Sequence, residues 1–164
     1  MNNPQSISLI FPLYRDRYTV KKVIDKSLKI LKKLKIKYEI IIIDDFCPEK
    51  SGLVALEYSK KNKKIKVIFH KKNYGYGAAI RTGFKNSKYE CVYAVDGDGE
   101  FGMALNDLPR ILKSYKYNDL VITYRYKKRY KTTRIIISWV YNFMLRFLFN
   151  INFKDISSGS RLVN

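Results

Sequence analysis

The sequence predicts an α/β fold built on a mostly parallel sheet, and three observations carry that prediction. Short apolar runs rich in Ile, Val and Leu alternate with longer segments whose apolar residues recur at helical spacing. One run, residues 38–43 (YEIIII), is too uniformly apolar to have a wet face, as expected of a buried parallel strand. Polar or glycine-containing clusters stand directly after the second, third and fourth runs, and in an open α/β sheet that carboxyl edge is where ligands bind. Strands alternating with helices imply right-handed crossovers within one sheet.

The elements follow in order. Ser6–Leu13 is an apolar, β-rich run stopped by Pro12. Residues 18–35 place Val20, Val23, Ile24, Leu28, Leu31 and Leu34 on one helical face. The strand at 38–43 is followed by a loop over 46–52 containing Pro48 and Gly52, and then by a helix ending near residue 62. A third strand is expected at 65–70, a helix at 77–86, a fourth strand at 90–95, a helix at 104–115 and a fifth strand at 119–124. No internal repeat and no linker precede residue 125. Beyond it, residues 133–150 read as an apolar helix with Ser138, Asn142, Arg146 and Asn150 in one polar stripe.

Composition narrows the function classes. A chain of 164 residues, 46% hydrophobic and 15% aromatic, has the material for a core and is not a disordered basic tail. The near-apolar run 135–151 is interrupted by Arg146 and falls short of the roughly 20 residues a spanning helix needs. No signal-peptide pattern is visible, and two cysteines suit a reducing compartment, so a soluble or membrane-surface intracellular domain is expected. A formal charge of +19 attracts nucleic acid, anionic lipid or phosphorylated substrates, although many lysines also fall on solvated helix faces. A basic nucleic-acid-binding module is therefore a competing class. Against it, acids occupy the expected ligand edge, where a phosphodiester backbone would be repelled.

Those acids are few. Asp44, Asp45, Asp96, Asp98 and Glu100 make up five of the chain's fourteen, each just after an apolar run. Asp96 and Asp98 on a glycine-containing turn bring two carboxylates near one point, with Glu100 two residues on. Oxygen-only ligands suit Mg²⁺ or Mn²⁺, and one histidine with two cysteines is too small a set for zinc. The plainer alternative is a turn whose acids cap the helix at 104–115. Asp44 and Asp45 can accept hydrogen bonds from a ribose or base, or can cap the loop through Phe46. Residues 73–79 (NYGYGAA) open a helix with small residues that permit close approach to the sheet or to a ligand. The spacing is neither a Rossmann fingerprint nor a Walker loop.

Taken in order, these pieces resemble the family 2 glycosyltransferases, most closely the branch that includes dolichyl-phosphate mannosyltransferase and bacterial polyprenyl-phosphate glycosyltransferases. The carriers are Pro12-Leu13-Tyr14-Arg15-Asp16, Asp44-Asp45 with the loop that follows, and Asn73-Tyr74-Gly75-Tyr76-Gly77-Ala78 with Gly83-Phe84. Asp96-Gly97-Asp98-Gly99-Glu100, Tyr124-Arg125, Arg134 and residues 155–161 (DISSGSR) complete the set. The resemblance implies a nucleotide-diphospho-sugar transferase fold of the GT-A, Rossmann-like kind. It implies that Pro12, Tyr14 and Asp16 line a base pocket and that Asp44 reaches the base or ribose. Asp45, Asn73, Gly77 and Asp96 would complete the nucleotide-sugar site. Asp96, Asp98 and Glu100 would hold Mg²⁺ or Mn²⁺ and the diphosphate, with Asp98, Arg125 and Arg134 as the catalytic set. The chain departs from the pattern where Arg15-Asp16 replaces Asn-Glu, Phe46-Cys47 replaces Gly-Ser and Glu100 replaces Gln.

The implied reaction is transfer of a sugar, with inversion, from a UDP- or GDP-sugar to an acceptor. No base stands out beyond the acidic motif, and an acceptor phosphate needs none, which favours a polyprenyl (dolichyl or undecaprenyl) phosphate. The apolar helix at 133–150, beside Lys127, Lys128, Arg129 and Lys131, fits either core burial or a lipid interface. The membrane-side reading places the protein in the cytoplasm, peripheral at the inner face of the membrane, with no nucleic-acid partner. The chain stops at Asn164, where domains of the resembled family continue. The expectation is thus one catalytic domain over 1–164, short at its C-terminus, whose alternative is an inactive donor-binding fragment.

Overall fold

The computed structural model describes residues 4–95, 105–115, 118–123, 132–150 and 160–163, with the side chains of residues 132 and 134 outside the description. Its elements are β1 (Ser6–Leu13), α1 (Val20–Leu34), β2 (Lys37–Asp44), α2 (Ser51–Lys61), β3 (Ile65–Phe69) and α3 (Tyr76–Lys85). They continue with β4 (Val92–Ala94), α4 (Leu108–Tyr115), β5 (Leu120–Ile122), α5 (Thr132–Phe149) and β6 (Arg161–Val163). The sheet order is β3-β2-β1-β4-β6-β5.

Strands β3, β2, β1 and β4 run parallel, with Leu13 beside Asp44 and Asp44 beside Phe69, so β1, β2 and β3 end in one line. The mostly parallel sheet read from the sequence is therefore present, with one addition. β6 lies antiparallel between β4 and β5, pairing Leu162 with both Tyr93 and Val121. A three-residue strand carries no periodicity of its own, so its place is set by partners far away in the chain.

Alternating residues of the central strands face opposite layers. Ile7, Leu9, Phe11, Ile40 and Ile42 pack with Val20, Val23, Ile24 and Leu31 of α1, Ala55 of α2, and Leu108, Ile111 and Leu112 of α4. Ile10, Ile41, Ile43 and Ala94 pack on the other side with Ala79, Ile80 and Phe84 of α3. Buried on both faces, β1 and β2 have no place for a polar alternation, which is why they read as continuous apolar runs. Gly83 is what allows α3 to lie on β1: a Cβ there would run into the Ile10 side chain.

Most elements fall within a residue or two of their expected limits. The helix expected over 104–115 is α4, whose first turn begins from the Asp107 carbonyl, accepting from Arg110 and Ile111 N–H at 2.9 Å each. Pro109 sits in that first turn, where a missing N–H costs nothing. The apolar helix at 133–150 is α5. Its Ile137, Trp139 and Phe147 are 69%, 65% and 81% exposed, while Asn142 of the polar stripe is buried and donates to the Ser138 carbonyl at 2.7 Å. Among the described residues no helix is long and apolar enough to cross a membrane.

Candidate functional site

The carboxyl ends of β1, β2 and β3 are joined by hydrogen bonds from the sheet into its loops. Asp45 N–H donates to the Leu13 carbonyl at 3.1 Å, and His70 N–H to the Asp44 carbonyl at 2.9 Å. From this line, the two consecutive aspartates each organise one loop. The buried Asp44 carboxylate accepts Cys47 N–H on Oδ1 and Gly52 N–H on Oδ2, both at 2.6 Å. Gly52 must be glycine for that: a Cβ would lie 2.5 Å from Asp44 Oδ2 and 2.6 Å from the Phe69 ring.

The same loop is laced to the one after β1. Arg15 N–H donates to Cys47 Sγ at 3.1 Å, Cys47 Sγ lies 3.0 Å from Ser51 Oγ, and Asp16 N–H donates to Ser51 Oγ at 3.2 Å. Burial pushes the Cys47 thiol up, but hydrogen bonding from the Ser51 hydroxyl and from nearby backbone N–H groups outweighs it and leaves the pKa lowered. Asp16 also accepts Tyr14 N–H at 3.0 Å, and its carbonyl starts α1. Arg15, Phe46 and Lys50, at φ of 61°, 57° and 56°, are non-glycine residues in the left-handed region, and all three lie in these two loops.

Asp45 holds the loop between β3 and α3. Its Oδ1 accepts from His70 Nδ1 at 2.7 Å and Tyr74 N–H at 2.9 Å, and its Oδ2 accepts Gly75 N–H at 2.8 Å. Asn73 Oδ1 shares that Gly75 N–H at 2.9 Å, and Gly75 has a φ of +86° that suits glycine. Burial pushes the Asp45 carboxyl up, but the hydrogen bonds from Tyr74 N–H, His70 and Gly75 N–H prevail and its pKa is lowered. The other His70 nitrogen, Nε2, lies 2.9 Å from Thr82 Oγ1, which ties the cluster to α3. His70 can stay satisfied in either charge state, because a hydroxyl both donates and accepts. Sequence reasoning passed over His70 as the last residue of a strand. Its signal was being the chain's only histidine, at the same edge as the paired acids.

The structure thus brings Pro12, Tyr14, Asp16, Asp44, Asp45, Asn73 and Gly77 to one edge. Pro12 is buried within β1, Tyr14 and Asn73 are exposed, and among the described residues a Cβ on Gly77 would meet nothing within 4 Å. Asp96, Asp98, Glu100 and Arg125 lie outside the described residues. Arg134 is in the first turn of α5, its side chain likewise outside the description. Val95 N–H donates to the Ile10 carbonyl at 3.0 Å, so the chain enters the 96–100 segment from beside β1. Among the described residues no group of three or more His, Cys, Asp or Glu side chains could hold a metal ion.

A family model described as glycosyl transferase family 2 matches residues 8–164. The chain belongs to glycosyl transferase family 2. A dolichyl-phosphate beta-glucosyltransferase of Trichomonas vaginalis is 27% identical over 120 residues, covering 67% of this chain and 37% of that protein. An undecaprenyl-phosphate 4-deoxy-4-formamido-L-arabinose transferase of Photorhabdus laumondii is 24% identical over 143 residues, covering 86% of this chain and 43% of that one. The chain therefore spans less than half the length of these relatives. Among solved structures, glucosyl-3-phosphoglycerate synthase of Mycobacterium tuberculosis, in complex with Mn²⁺, uridine diphosphate and phosphoglyceric acid, superposes with a TM-score of 0.71. The identity is 16%, with 98% of this chain and 56% of that chain covered. The mostly parallel sheet with its flanking helices is the GT-A fold of nucleotide-sugar transferases.

Proposed function

We propose that this family 2 member binds a UDP- or GDP-sugar at the carboxyl edge of β1, β2 and β3 and transfers the sugar, with inversion, to a polyprenyl phosphate. The observation that supports it is the convergence of three loops on that edge, each fixed by an acid or hydroxyl of the chain itself. Such fixed loops bind a ligand without first having to be ordered, which lowers the entropy cost of binding.

In this reading Pro12, Tyr14 and Asp16 border the base, with Asp44 and Asp45 holding the walls of the pocket. Asn73 and Gly77 stand at the start of α3, where no described residue lies within 4 Å of a Cβ built on Gly77. The acceptor phosphate oxygen attacks the anomeric carbon as the bond to the diphosphate breaks, and the nucleoside diphosphate leaves with the electron pair. An acceptor that is already anionic needs no protein base. Asp96, Asp98 and Glu100 would hold a Mg²⁺ or Mn²⁺ ion, which supplies charge neutralisation for the diphosphate. Arg125 and Arg134 would add positive charge near the phosphates. The exposed Trp139, Phe143, Phe147 and Leu148 of α5 suit a lipid interface, which would place the protein on the cytoplasmic face of a membrane beside such an acceptor.

Calorimetric titration of the full chain with UDP-glucose and GDP-mannose, with and without Mn²⁺, tests the donor site. Binding that needs Mn²⁺ and is lost in Asp98→Ala is the expected result. Turnover with polyprenyl phosphate then tests the acceptor. A folded protein that binds neither donor, or that binds RNA tightly and with a steep salt dependence, would overturn the reading.

A further inference from the structure

Phe46 stands out as a residue that costs the fold something on two counts. Its φ of 57° is in the left-handed region, which disfavours any side chain with a Cβ, and its ring is 61% exposed. The backbone there is imposed by its neighbours. Asp45 N–H is held on the Leu13 carbonyl at 3.1 Å, and Cys47 N–H is drawn onto Asp44 Oδ1 at 2.6 Å, so residue 46 must turn left-handed between them. Glycine would take that turn without strain and expose no apolar surface. Strain and apolar exposure in one residue, at the edge where the site's loops meet, are what a ligand-contacting position looks like.

We infer that the Phe46 ring is a stacking surface for the nucleobase of the donor, and so a determinant of its affinity. This rests on the donor reading above. The sheet order places the ring at the base end: Phe46 follows β2, whereas the acidic segment 96–100 follows β4, and β1 lies between them. Two inter-strand steps of about 4.8 Å separate those strand ends by roughly 10 Å, comparable to the reach from a base to its diphosphate. A planar apolar ring two strands away from β4, which leads into the 96–100 segment, complements the π-face of a base, which is the one flat, uncharged part of such a ligand. The loop that carries it is braced by Asp44, Cys47 and Ser51, so the ring is presented on a fixed support.

The test compares wild type, Phe46→Gly and Phe46→Trp as full chains, each titrated with UDP, GDP and inorganic pyrophosphate in the presence of Mn²⁺. Phe46→Gly relieves the backbone, so its urea midpoint should be no lower than wild type. Its affinity for the nucleoside diphosphate should nevertheless fall, by roughly fivefold to a hundredfold if one base–aromatic stack is lost. Pyrophosphate affinity should not change, and Phe46→Trp should restore nucleotide binding. Equal nucleotide affinity in wild type and Phe46→Gly would overturn the inference, as would a matching loss for pyrophosphate, which would mean that the loop and not the ring matters. Wild type that binds neither UDP nor GDP would instead overturn the donor reading, and this inference with it.

Discussion

Replacing Asp45 by Asn removes one charge from the best-connected carboxylate of the site while keeping its shape, and the structure sets what that should cost. With its carbonyl oxygen in the Oδ1 position, Asn keeps the bonds from His70 Nδ1 and Tyr74 N–H, now without charge assistance. A hydrogen bond to a charged group contributes about 1.5–3 kcal/mol against about 1 for a neutral one, so the two together lose about 1–4 kcal/mol. The amide NH₂ then faces Gly75 N–H, donor against donor, although Asn73 Oδ1 still accepts that N–H. The opposite flip keeps the Gly75 N–H bond but sets the amide NH₂ against Tyr74 N–H. A destabilisation of about 2–4 kcal/mol is expected, read as a lower urea midpoint at unchanged m. The pH dependence supplies a second check. The Asp45 pKa is lowered in the fold, so the stability due to its ionised form is present above the unfolded carboxyl value, about 3.9, and is lost as pH falls through the folded one. Wild type and Asp45→Asn should therefore converge below pH ~4. A difference under about 0.5 kcal/mol at neutral pH, or one that stays constant into acid, would refute the reasoning.

Two glycines of α3 should respond oppositely to alanine. Gly83→Ala forces a methyl into Ile10 and should cost about 1–3 kcal/mol, whereas Gly77→Ala meets none of the described residues and should be neutral or raise stability by up to about 1 kcal/mol, both measured by urea unfolding. Cys91, buried at the entry to β4, has its thiol pushed up to about 12 by desolvation. Its folded pKa lies above the unfolded one, so its contribution is intact below about pH 8.5 and declines as pH rises from there toward the folded value. Unfolding free energy should fall between pH 9 and 11 less steeply in Cys91→Ala than in wild type, and identical slopes would contradict the burial.

Much of this was legible in the sequence because the central strands are buried on both faces. The isoleucines of β2 leave no other reading, and the helical face of α1 is as clear. Asp44, Asp45 and residues 73–77 could be placed at one edge by the strand pattern alone. What the pattern could not supply was partnership. Asp44 reaches Gly52 and Asp45 reaches Gly75 only because the loops fold back over the strand ends, and nothing in a linear spacing encodes a loop's return. β6 was invisible for the same reason, its three residues becoming a strand through Tyr93 and Val121. Phe46 was visible as a departure from the family pattern. That the position demands a left-handed backbone, and hence why glycine suits it, is set by the hydrogen bonds on either side of it and not by the sequence pattern.

Two adjacent carboxylates at a strand end ought to repel each other, and the fold keeps them apart. Successive side chains leave a strand on opposite faces, so Asp44 turns toward the α2 side and Asp45 toward the α3 side. Each then meets backbone N–H groups, two at Asp44 and two at Asp45, with His70 as a further partner for the latter. Their negative charge is balanced within the protein by fixed donors, and both side chains are almost fully buried. The two acids therefore work as clamps on two loops, at an edge whose shape is set before any ligand arrives. A divalent ion at that edge would have to take its carboxylates from elsewhere, and Asp96, Asp98 and Glu100 are the acids that directly follow the neighbouring strand. Division of labour of this kind separates two experiments that would otherwise look alike. Loss of Asp98 should abolish metal-dependent binding in a protein that unfolds normally, whereas loss of Asp45 should be seen first in the urea midpoint.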